Sequence, residues 1–351
     1  MKKTMKAAIL YAPADLRIEE TETPTLGSAD DVLVNVKSVG ICGSDIDRIM
    51  YTGTYSFPTI PGHEFCGIVE KTGECVTEFK QGDRVVVAPI LPCWKCDSCV
   101  QGNYGQCDNY SYLGSRTDGG MAEYVIAPKG NLIKMPDNMS FEEGACVEPA
   151  AVTLHGMRQV KIDAGDKVAV LGCGTIGLFA IQFAKIMGAT EIFAVDIDEE
   201  KLAFASKFGA SHCIDASKAD PIEKIKQLTD GKNVNVAIET AGSNITQEQS
   251  LRAAKKKGRV LMLGTAHKDV VIPPETYEKI IRNELKIVGA WNSYSAPFPG
   301  IEWHAVLDYT KLKQLDILSC ITQRIGLEDI PETIAQMAKR SFSFNKIVIN
   351  I

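Results

Sequence analysis

Four cysteines lie in one short stretch of the chain, PCWKCDSCVQGNYGQC, with the spacing C-x2-C-x2-C-x7-C. Such a cluster can form disulfides, act as a redox dithiol or place four thiolates around one metal ion. Zinc bound by four thiolates has a closed tetrahedral shell, which leaves no position for a substrate. The spacing favours a structural zinc site formed by Cys93, Cys96, Cys99 and Cys107, and a redox cluster is the alternative.

Cysteine usage in the rest of the chain argues against disulfides. The chain has 11 cysteines, an odd number, and the others are scattered, mostly inside apolar runs such as GACVEPAAV. This pattern is not a disulfide framework. We therefore expect reduced thiols and a cytoplasmic location, where clustered cysteines are more often metal ligands or redox groups than bridges.

A second set of residues offers mixed metal ligands. GICGSD contains Cys42 and Ser44, PGHEFCG contains His63 and Glu64, and CVEPAA contains Glu148. Taken singly, each has an ordinary explanation as a core thiol, a solvated pair or a helix-start acid. Together they offer one thiolate, one imidazole and one or two carboxylates, the kind of shell that leaves zinc an open position for catalysis. The sequence alone does not show that they meet in space.

A glycine pattern predicts a dinucleotide site. LGCGTIG follows a strand-like run and opens a helix-like run, so Gly172, Gly174 and Gly177 form G-x-G-x-x-G around Thr175 and Ile176. The first glycine permits a tight turn, the second lets a pyrophosphate approach the backbone, and the third lets the helix pack on the strand. A turn without a dinucleotide is the alternative.

The next strand-like run ends in an acidic residue that indicates NAD. Asp196 lies close to the spacing of about 20 residues at which an acid binds the adenosine ribose. The acidic stretch Asp196–Glu200 repels a 2′-phosphate, although Lys201 follows it. We therefore expect NAD rather than NADP. Gly264, the last residue of the strand-like run RVLMLG, and Lys201 are further candidates for cofactor contact.

The elements that must position these residues indicate two domains of an α/β protein. Residues 1–150 carry short alternating strand-like runs, whereas from about 165 six apolar strand-like runs alternate with amphipathic helices. This alternation predicts a parallel sheet covered on both faces. Helix-like patterns at 302–313 and 328–339 and the strand-like run KIVINI follow.

Composition argues against other classes of partner. A net charge of -6 and a pI near 5.5 give no basic footprint for nucleic acid. The N-terminal apolar run AAIL is far shorter than the roughly 7 to 15 residues of a signal-peptide core. No run approaches the roughly 18 apolar residues of a membrane span. We expect neither a nucleic-acid nor a membrane partner.

The motifs CGSD, GHE, GGMAEY, VEPAAVTLH and LGCGTIG, together with the four-cysteine stretch, resemble the zinc-dependent medium-chain dehydrogenase/reductase family in its polyol (sorbitol) dehydrogenase branch. The resemblance implies a GroES-like, β-rich catalytic domain formed by residues 1–150 and 291–351, with a zinc lobe at about 90–110. It implies a Rossmann domain at 151–290 and an active site in the cleft.

The same resemblance implies roles for the mixed ligands. Cys42 and His63 would bind a catalytic zinc, Glu148 stands where alcohol dehydrogenases place a second cysteine, and Glu64 would be an exchanging carboxylate ligand. The expected cofactors are two zinc ions per chain and NAD. Ser44 would be the first proton acceptor. Family members often carry a histidine where this chain has Asp47, and that histidine ends their proton relay.

A substrate class is implied by GAWNSYSAPFPGIEW, LPCWKC, YLGSRTDGG and SDIDRI. These stretches resemble bacterial dehydrogenases of sugar-alcohol phosphates, such as the galactitol-1-phosphate and arabitol-phosphate enzymes. Arginines suit a phosphate dianion, and Arg48 and Arg116 are candidates unless they are ordinary surface charges. Asn292 and Ser293 could bind hydroxyls or phosphate. The resemblance also implies a homodimer or homotetramer.

Three other functions compete with this hypothesis. An unphosphorylated polyol such as sorbitol or xylitol could be the substrate. A dehydrogenase-like metabolite sensor or a zinc-free enzyme of the quinone-reductase type would be expected to lack the metal ligands. All four ligand candidates are present, so a zinc-dependent dehydrogenase is favoured.

Overall fold

A computed structural model describes residues 3–351 of the chain. Residues 1 and 2, the first of the expected catalytic domain, lie outside the described part. Contacts divide the chain into two compact units. The catalytic unit contains the residues up to Glu148 together with Tyr294–Lys313 and Ile317–Ile351, and the nucleotide unit contains Pro149–Ser293 with Gln314–Asp316.

Strands and helices succeed one another along both units. The strands are β1 (Thr4–Ala12), β2 (Asp15–Glu22), β3 (Asp31–Gly40), β4 (Glu64–Thr72), β5 (Arg84–Val87), β6 (Ile90–Leu91), β7 (Ser111–Tyr112), β8 (Tyr124–Pro128), β9 (Leu132–Lys134), β10 (Lys167–Leu171), β11 (Glu191–Asp196), β12 (His212–Asp215), β13 (Val234–Glu239), β14 (Ala254–Met262), β15 (Lys286–Gly289), β16 (Ile321–Gly326) and β17 (Lys346–Asn350). The α-helices are α1 (Gly43–Asp47), α2 (Asp97–Val100), α3 (Phe141–Ala145), α4 (Val147–Val160), α5 (Thr175–Ile186), α6 (Glu199–Phe208), α7 (Pro221–Leu228), α8 (Asn244–Ala253), α9 (Pro274–Arg282), α10 (Ile301–Lys311) and α11 (Ile330–Ala338). Among residues 3–351, no helix is long and apolar enough to cross a membrane.

The catalytic unit is built on a mixed sheet in the order β16-β17-β3-β4-β5-β9, with β8 also pairing with β3. Every second residue of β3 from Val32 to Val36 is fully buried, as expected for a strand whose inner face packs on a core. The C-terminal strand β17 lies between β16 and β3, so the end of the chain completes a sheet formed mainly by its first part. This arrangement confirms the predicted β-rich architecture.

The nucleotide unit is a parallel sheet in the order β12-β11-β10-β13-β14-β15. The first strand, β10, therefore lies between β11 and β13, and the strand order reverses there. In doubly wound sheets, dinucleotides bind at the carboxyl end of such a reversal. The six strands match the six predicted apolar runs, and the predicted α/β fold class is confirmed.

Candidate zinc centres and dinucleotide site

The four-cysteine stretch folds into a compact lobe whose sulfur atoms converge. The Sγ atoms of Cys93, Cys96, Cys99 and Cys107 all lie within 4.8 Å of one another. A tetrahedral zinc site with bonds of about 2.3 Å has sulfur to sulfur edges of about 3.8 Å. The lobe therefore fits the predicted structural zinc ion, with no further ligand needed.

The surroundings of these sulfur atoms prepare them for a cation. Backbone N–H groups of Lys95 and Cys96 lower the pKa of the Cys93 thiol to about 6. Backbone N–H groups of Cys99 and Asp108 lower the pKa of Cys96 as well. Burial and the neighbouring Cys107 instead raise the pKa of Cys99 to about 12. A divalent cation offsets the repulsion among the thiolates, because it binds all four of them at once.

The mixed ligands also converge, and sheet register explains how. Gly40, the last residue of β3, is paired with Glu64, the first residue of β4. Cys42 follows β3 and His63 precedes β4, so the antiparallel pairing brings the two together. Ligand atoms of Cys42, His63 and Glu64 lie within 4.8 Å of one another. We call these three residues the mixed-ligand cluster, and its thiolate, imidazole and carboxylate fit a catalytic zinc ion.

Asp45, which the sequence interpretation did not assign, orients the mixed-ligand cluster. Its Oδ1 lies 3.1 Å from His63 Nδ1, and its Oδ2 accepts a hydrogen bond of 3.0 Å from the Cys42 amide. A proton on Nδ1 leaves Nε2 free to bind a metal. Burial lowers the pKa of His63, but the charge and hydrogen bond of Asp45 outweigh it and the net direction is upward. A metal ion at Nε2 would take the place of the second ring proton, because only the neutral ring is a ligand.

Lys346 on β17 is a second residue that sequence interpretation missed. Its ammonium forms a fully buried ion pair with Glu64 and donates a 3.0 Å hydrogen bond to the Ile41 carbonyl. Burial lowers the pKa of Lys346, but the charges of Glu64, Cys146 and Cys42 outweigh this effect and raise it. No local motif marks Lys346, because its partner lies 282 positions earlier in the chain.

Glu148 lies outside the mixed-ligand cluster. It is the second residue of α4, and its Oε1 accepts a 3.3 Å hydrogen bond from the Tyr112 hydroxyl. Burial raises the pKa of Glu148 to about 7, and the charge of Glu64 adds to this while His63 opposes it. These mutual charge effects place Glu148 near the cluster, so its predicted role as a zinc ligand stays a prediction.

Ser44 and Arg48 lie beside the cluster. The Ser44 hydroxyl donates a 3.3 Å hydrogen bond to Cys42 Sγ and accepts a 2.9 Å hydrogen bond from Arg48 Nη1. Arg48 Nη1 also lies 3.7 Å from Asp45 Oδ1. The guanidinium of Arg48 is thus engaged with residues of the centre itself.

Arg116 has different surroundings. Its guanidinium carbon lies 3.9 Å from the Tyr55 ring centroid and 4.5 Å from the Tyr110 ring centroid. Among the described residues, no carboxylate forms an ion pair with it, while Tyr110 in turn packs on Tyr112 at 6.2 Å between ring centroids. These two aromatic contacts hold the cation in place and leave its N–H groups available for an anion.

The glycine loop of the nucleotide unit has the geometry of a pyrophosphate site. Gly172 has a φ of 101°, and a Cβ on Gly177 would overlap the Gly172 carbonyl oxygen. Gly174 is the N-cap of α5, whose first two residues are Thr175 and Ile176. The N-terminus of α5 is thereby left open to a phosphate.

Asp196 links this loop to the end of β11. Its Oδ2 accepts a 2.7 Å hydrogen bond from the Cys173 amide, and its Oδ1 accepts hydrogen bonds from the amides of Ile197 and Asp198. Lys201 lies in the first turn of α6, where its amide is 3.4 Å from Asp198 Oδ1. The acid predicted to bind the ribose therefore also fixes the glycine loop.

Glu239, at the end of β13, is a third residue that the sequence interpretation missed. Its Oε1 accepts hydrogen bonds from the Ala241 and Gly242 amides at 3.0 Å each and from Thr246 at 2.7 Å. A Cβ on Gly264 would collide with Gly242, so Gly264 allows two loops to meet at the sheet's carboxyl edge.

Asn292 and Ser293 follow β15 in the nucleotide unit. Asn292 is half-buried with a φ of 56°, and Ser293 is fully buried. Their predicted contact with substrate stays a prediction.

Known proteins are similar to this chain in both sequence and fold. Residues 28–137 match the alcohol dehydrogenase GroES-like domain, and residues 175–308 match the zinc-binding dehydrogenase domain. Galactitol 1-phosphate 5-dehydrogenase of Escherichia coli K12 is 34% identical over 345 residues, which are 98% of this chain and 100% of that protein. The chain belongs to the zinc-dependent medium-chain dehydrogenase family.

Further relatives support this membership. Sorbitol dehydrogenase of Bacillus subtilis 168 is 33% identical over 329 residues, covering 89% of this chain and 92% of that protein. The crystal structure of the Escherichia coli galactitol-1-phosphate dehydrogenase has a TM-score of 0.94 at 34% identity, covering 99% of this dehydrogenase and 100% of that chain. A Sinorhizobium meliloti zinc-binding dehydrogenase bound to NADP has a TM-score of 0.93 at 32% identity, covering 100% of both chains. The dehydrogenase is therefore an oxidoreductase that uses zinc and a nicotinamide dinucleotide.

The two ligand sets predict different consequences of ligand loss. Unmodified protein should contain about two zinc ions per chain by elemental analysis. Cys93→Ser should lose about one zinc ion and lower the thermal midpoint by on the order of 10 °C, because a closed site contributes folding free energy. Cys42→Ser should also lose about one zinc ion per chain, but its thermal midpoint should stay the same. Its turnover should fall by more than about 100-fold, because the substitution removes a ligand of the open site.

Cys75→Ser is the matched control, since Cys75 is an exposed thiol outside both ligand sets. It should leave zinc content, midpoint and turnover unchanged. One zinc ion or none in freshly purified, unchelated wild-type protein would contradict the assignment of two centres.

Proposed function

We propose that this dehydrogenase catalyses the reversible, NAD-linked oxidation of a secondary alcohol on a sugar-alcohol phosphate to the ketose phosphate, with a galactitol 1-phosphate-like substrate. The observation that carries the phosphate in this proposal is Arg116, a cation that stacks on two tyrosine rings and forms no ion pair with a carboxylate among residues 3–351. Similarity to galactitol 1-phosphate 5-dehydrogenase along 98% of the chain adds support.

The mixed-ligand cluster is proposed to hold the catalytic zinc, with Glu148 as a further carboxylate beside it. When bound, zinc polarises the substrate hydroxyl as a Lewis acid and the nicotinamide accepts the hydride. Asp45 keeps the His63 ring in the orientation and tautomer that a ligand needs. Lys346 forms a buried ion pair with Glu64, which offsets the cost of burying the two groups at the site.

Ser44 is proposed to accept the proton of the substrate hydroxyl. Arg48 donates to its Oγ at 2.9 Å, which fixes the side chain and would stabilise negative charge while the Ser44 hydroxyl hands its own proton toward a ribose hydroxyl of the cofactor and solvent. A charge-assisted hydrogen bond of this kind is roughly twice as strong as a neutral one. Arg48 therefore acts on the alcohol chemistry, and Arg116 is proposed as the phosphate ligand.

The competing substrates differ in the group that Arg116 would meet. An arabitol phosphate offers the same dianion on a shorter chain, and a free polyol such as sorbitol or xylitol offers none. Similarity to a sorbitol dehydrogenase at 33% identity keeps the free polyol as the second candidate. A metabolite sensor is disfavoured because the ligand sets of both proposed zinc centres are complete.

NAD is proposed as the cofactor because Asp196 has its carboxylate at the end of β11 with no arginine beside it in the chain. A 2′-phosphate there would meet the acidic start of α6. The Sinorhizobium meliloti relative is bound to NADP, so the preference of this chain between NAD and NADP requires direct measurement.

A homodimer or homotetramer is also proposed. Strand β15 ends the parallel sheet, and Ile287 on it is 44% exposed, while Ile281 on α9 is 62% exposed. An open strand edge with apolar side chains is a surface that chains commonly cover by association. The cytoplasm is the proposed location, since thiolate ligands need a reducing compartment.

Cofactor preference gives one test of the proposal. Wild-type kcat/KM should favour NAD over NADP by at least about tenfold, equivalent to about 1.4 kcal/mol of 2′-phosphate repulsion. Asp196→Ser should reduce the preference for NAD over NADP. It should also raise the KM values for both cofactors, because the Cys173 amide in the glycine loop loses its hydrogen-bond acceptor.

Asp163→Asn is the matched control, because it also removes one negative charge but lies before β10, at the opposite end of the parallel sheet. It should leave the ratio of kcat/KM for NAD to that for NADP unchanged. Equal use of NAD and NADP by the wild-type enzyme would refute the preference.

Substrate phosphate gives a second test. Arg116→Ala should lower kcat/KM for galactitol 1-phosphate by roughly 1.5 to 3 kcal/mol, or about 10-fold to 150-fold, through loss of a charge-assisted contact. Turnover of free galactitol should change by less than about twofold, because that substrate never makes the contact. Arg48→Ala should slow both substrates, since Arg48 holds Ser44.

Arg17→Ala is the matched control, because Arg17 also stacks on a tyrosine, Tyr11, at 4.8 Å but lies on the β1–β2 hairpin. Neither substrate should be affected. If Arg116→Ala slows both substrates equally, or if free polyol is the better wild-type substrate, the phosphate proposal is wrong and the enzyme is a plain polyol dehydrogenase.

A further inference from the structure

Three hydrogen bonds form a chain that ends on Glu148. The Ile90 amide donates to the Tyr294 hydroxyl at 3.3 Å, the Tyr294 hydroxyl donates to that of Tyr112 at 3.4 Å, and the Tyr112 hydroxyl donates to Glu148 Oε1 at 3.3 Å. These spacings lie at the long end of hydrogen bonding. All the side chains involved are buried, where such bonds are stronger than in water and reinforce one another.

The direction of this chain is fixed at its start. A backbone N–H can only donate, so the Tyr294 oxygen accepts and its proton points onward to Tyr112. The Tyr112 hydroxyl in turn donates to Glu148 Oε1, an oxygen that accepts whenever the carboxyl group is ionised. Burial, Tyr294 and the charge of Glu148 raise the pKa of Tyr112 well above its usual value, so the hydroxyl remains a donor.

The chain also has a rigid starting point. The Tyr294 ring stacks on Phe298 and Trp303 at 6.1 Å between centroids in each case. Phe298 in turn packs edge-on against Trp94 and Tyr104 of the four-cysteine lobe, at 5.0 and 5.3 Å. Tyr294 therefore cannot rotate away without disturbing a packed aromatic cluster.

We infer that Tyr112 and Tyr294 are positioning residues that hold the Glu148 carboxylate in one orientation beside the mixed-ligand cluster. This inference rests on the proposed role of Glu148 at the catalytic centre. It also gives a function to Tyr294 in the stretch GAWNSYSAPFPGIEW, of which the substrate hypothesis used only Asn292 and Ser293. Tyr112 acts directly on Glu148, and Tyr294 acts through Tyr112.

The test removes one hydroxyl at a time while keeping each ring. Tyr112→Phe should lower kcat about 10-fold to 100-fold, the range expected when an outer partner of a metal ligand is lost. KM should stay within about threefold, because substrate binding does not use the tyrosine. Tyr294→Phe should act in the same direction with a smaller effect. The double variant should match Tyr112→Phe alone, because that change already severs the chain at its last link.

A second measurement does not depend on turnover. Dipicolinate should remove the first zinc ion several-fold faster from Tyr112→Phe than from wild-type protein, because the freed carboxylate no longer holds its place. The thermal midpoint should change by less than about 3 °C. Tyr11→Phe is the matched control, since Tyr11 also donates to a carboxylate, Glu19, at 2.8 Å, but on the exposed β1–β2 hairpin. It should change neither measurement.

Several outcomes would overturn the inference. These are additive losses in the double variant, an unchanged rate of zinc removal, or a loss of kcat that merely follows a lowered thermal midpoint. Failure of the proposed function looks different, because the wild-type enzyme would then fail on every polyol and polyol phosphate while the zinc-removal rates still differed between variants.

Discussion

Concentrated negative charge away from water is the constraint on which the catalytic unit depends. The side chains of Asp45, Glu64 and Glu148 are each at most 6% exposed, and the Cys42 sulfur lies beside Glu64. Isolated charges in such surroundings cost several kcal/mol each unless they are paired. Lys346 pairs with Glu64, Arg48 and His63 lie beside Asp45, and a divalent cation at the mixed-ligand cluster would offset further negative charge there.

The ligand sets of the two proposed zinc centres come from different backbone arrangements. The closed set comes from one continuous stretch, in which short spacings and backbone N–H groups prepare the thiolates. The open set comes from two strands joined by register, with Asp45 aligning its imidazole and amide. Hence the first stabilises a local lobe, whereas the second depends on the whole sheet, including the C-terminal strand that carries Lys346.

On the proposed function, specificity and chemistry would use different residues of the catalytic unit. Arg48 contacts Ser44 and Asp45 and would serve any alcohol substrate. Arg116 is held by aromatic rings, and its N–H donors would distinguish a phosphorylated substrate from a free one. Tyr110 and Tyr112 pack on each other, and thus the arginine stack and the hydrogen-bonded chain to Glu148 are in contact.

The sequence by itself determined the elements whose signals are local. Alternating apolar runs indicated the six parallel strands, which the structure confirms. The glycine spacing predicted a dinucleotide loop, and four cysteines within one stretch predicted a closed zinc site. Each signal depends on residues close together in the chain, where backbone geometry leaves few alternatives. The family resemblance added the identities of the open-site ligands.

Tertiary structure alone decided which distant residues complete the centre. Lys346 and Tyr294 carry no local mark, because their partners Glu64 and Tyr112 lie far earlier in the chain and are brought near only by strand order and aromatic packing. Tertiary contacts also distinguish Arg48 from Arg116, although the sequence offered both equally as candidates for phosphate binding. The physical reason is that burial and the distance between charges, which set the energy of each contact, are properties of the folded chain and not of spacing along it.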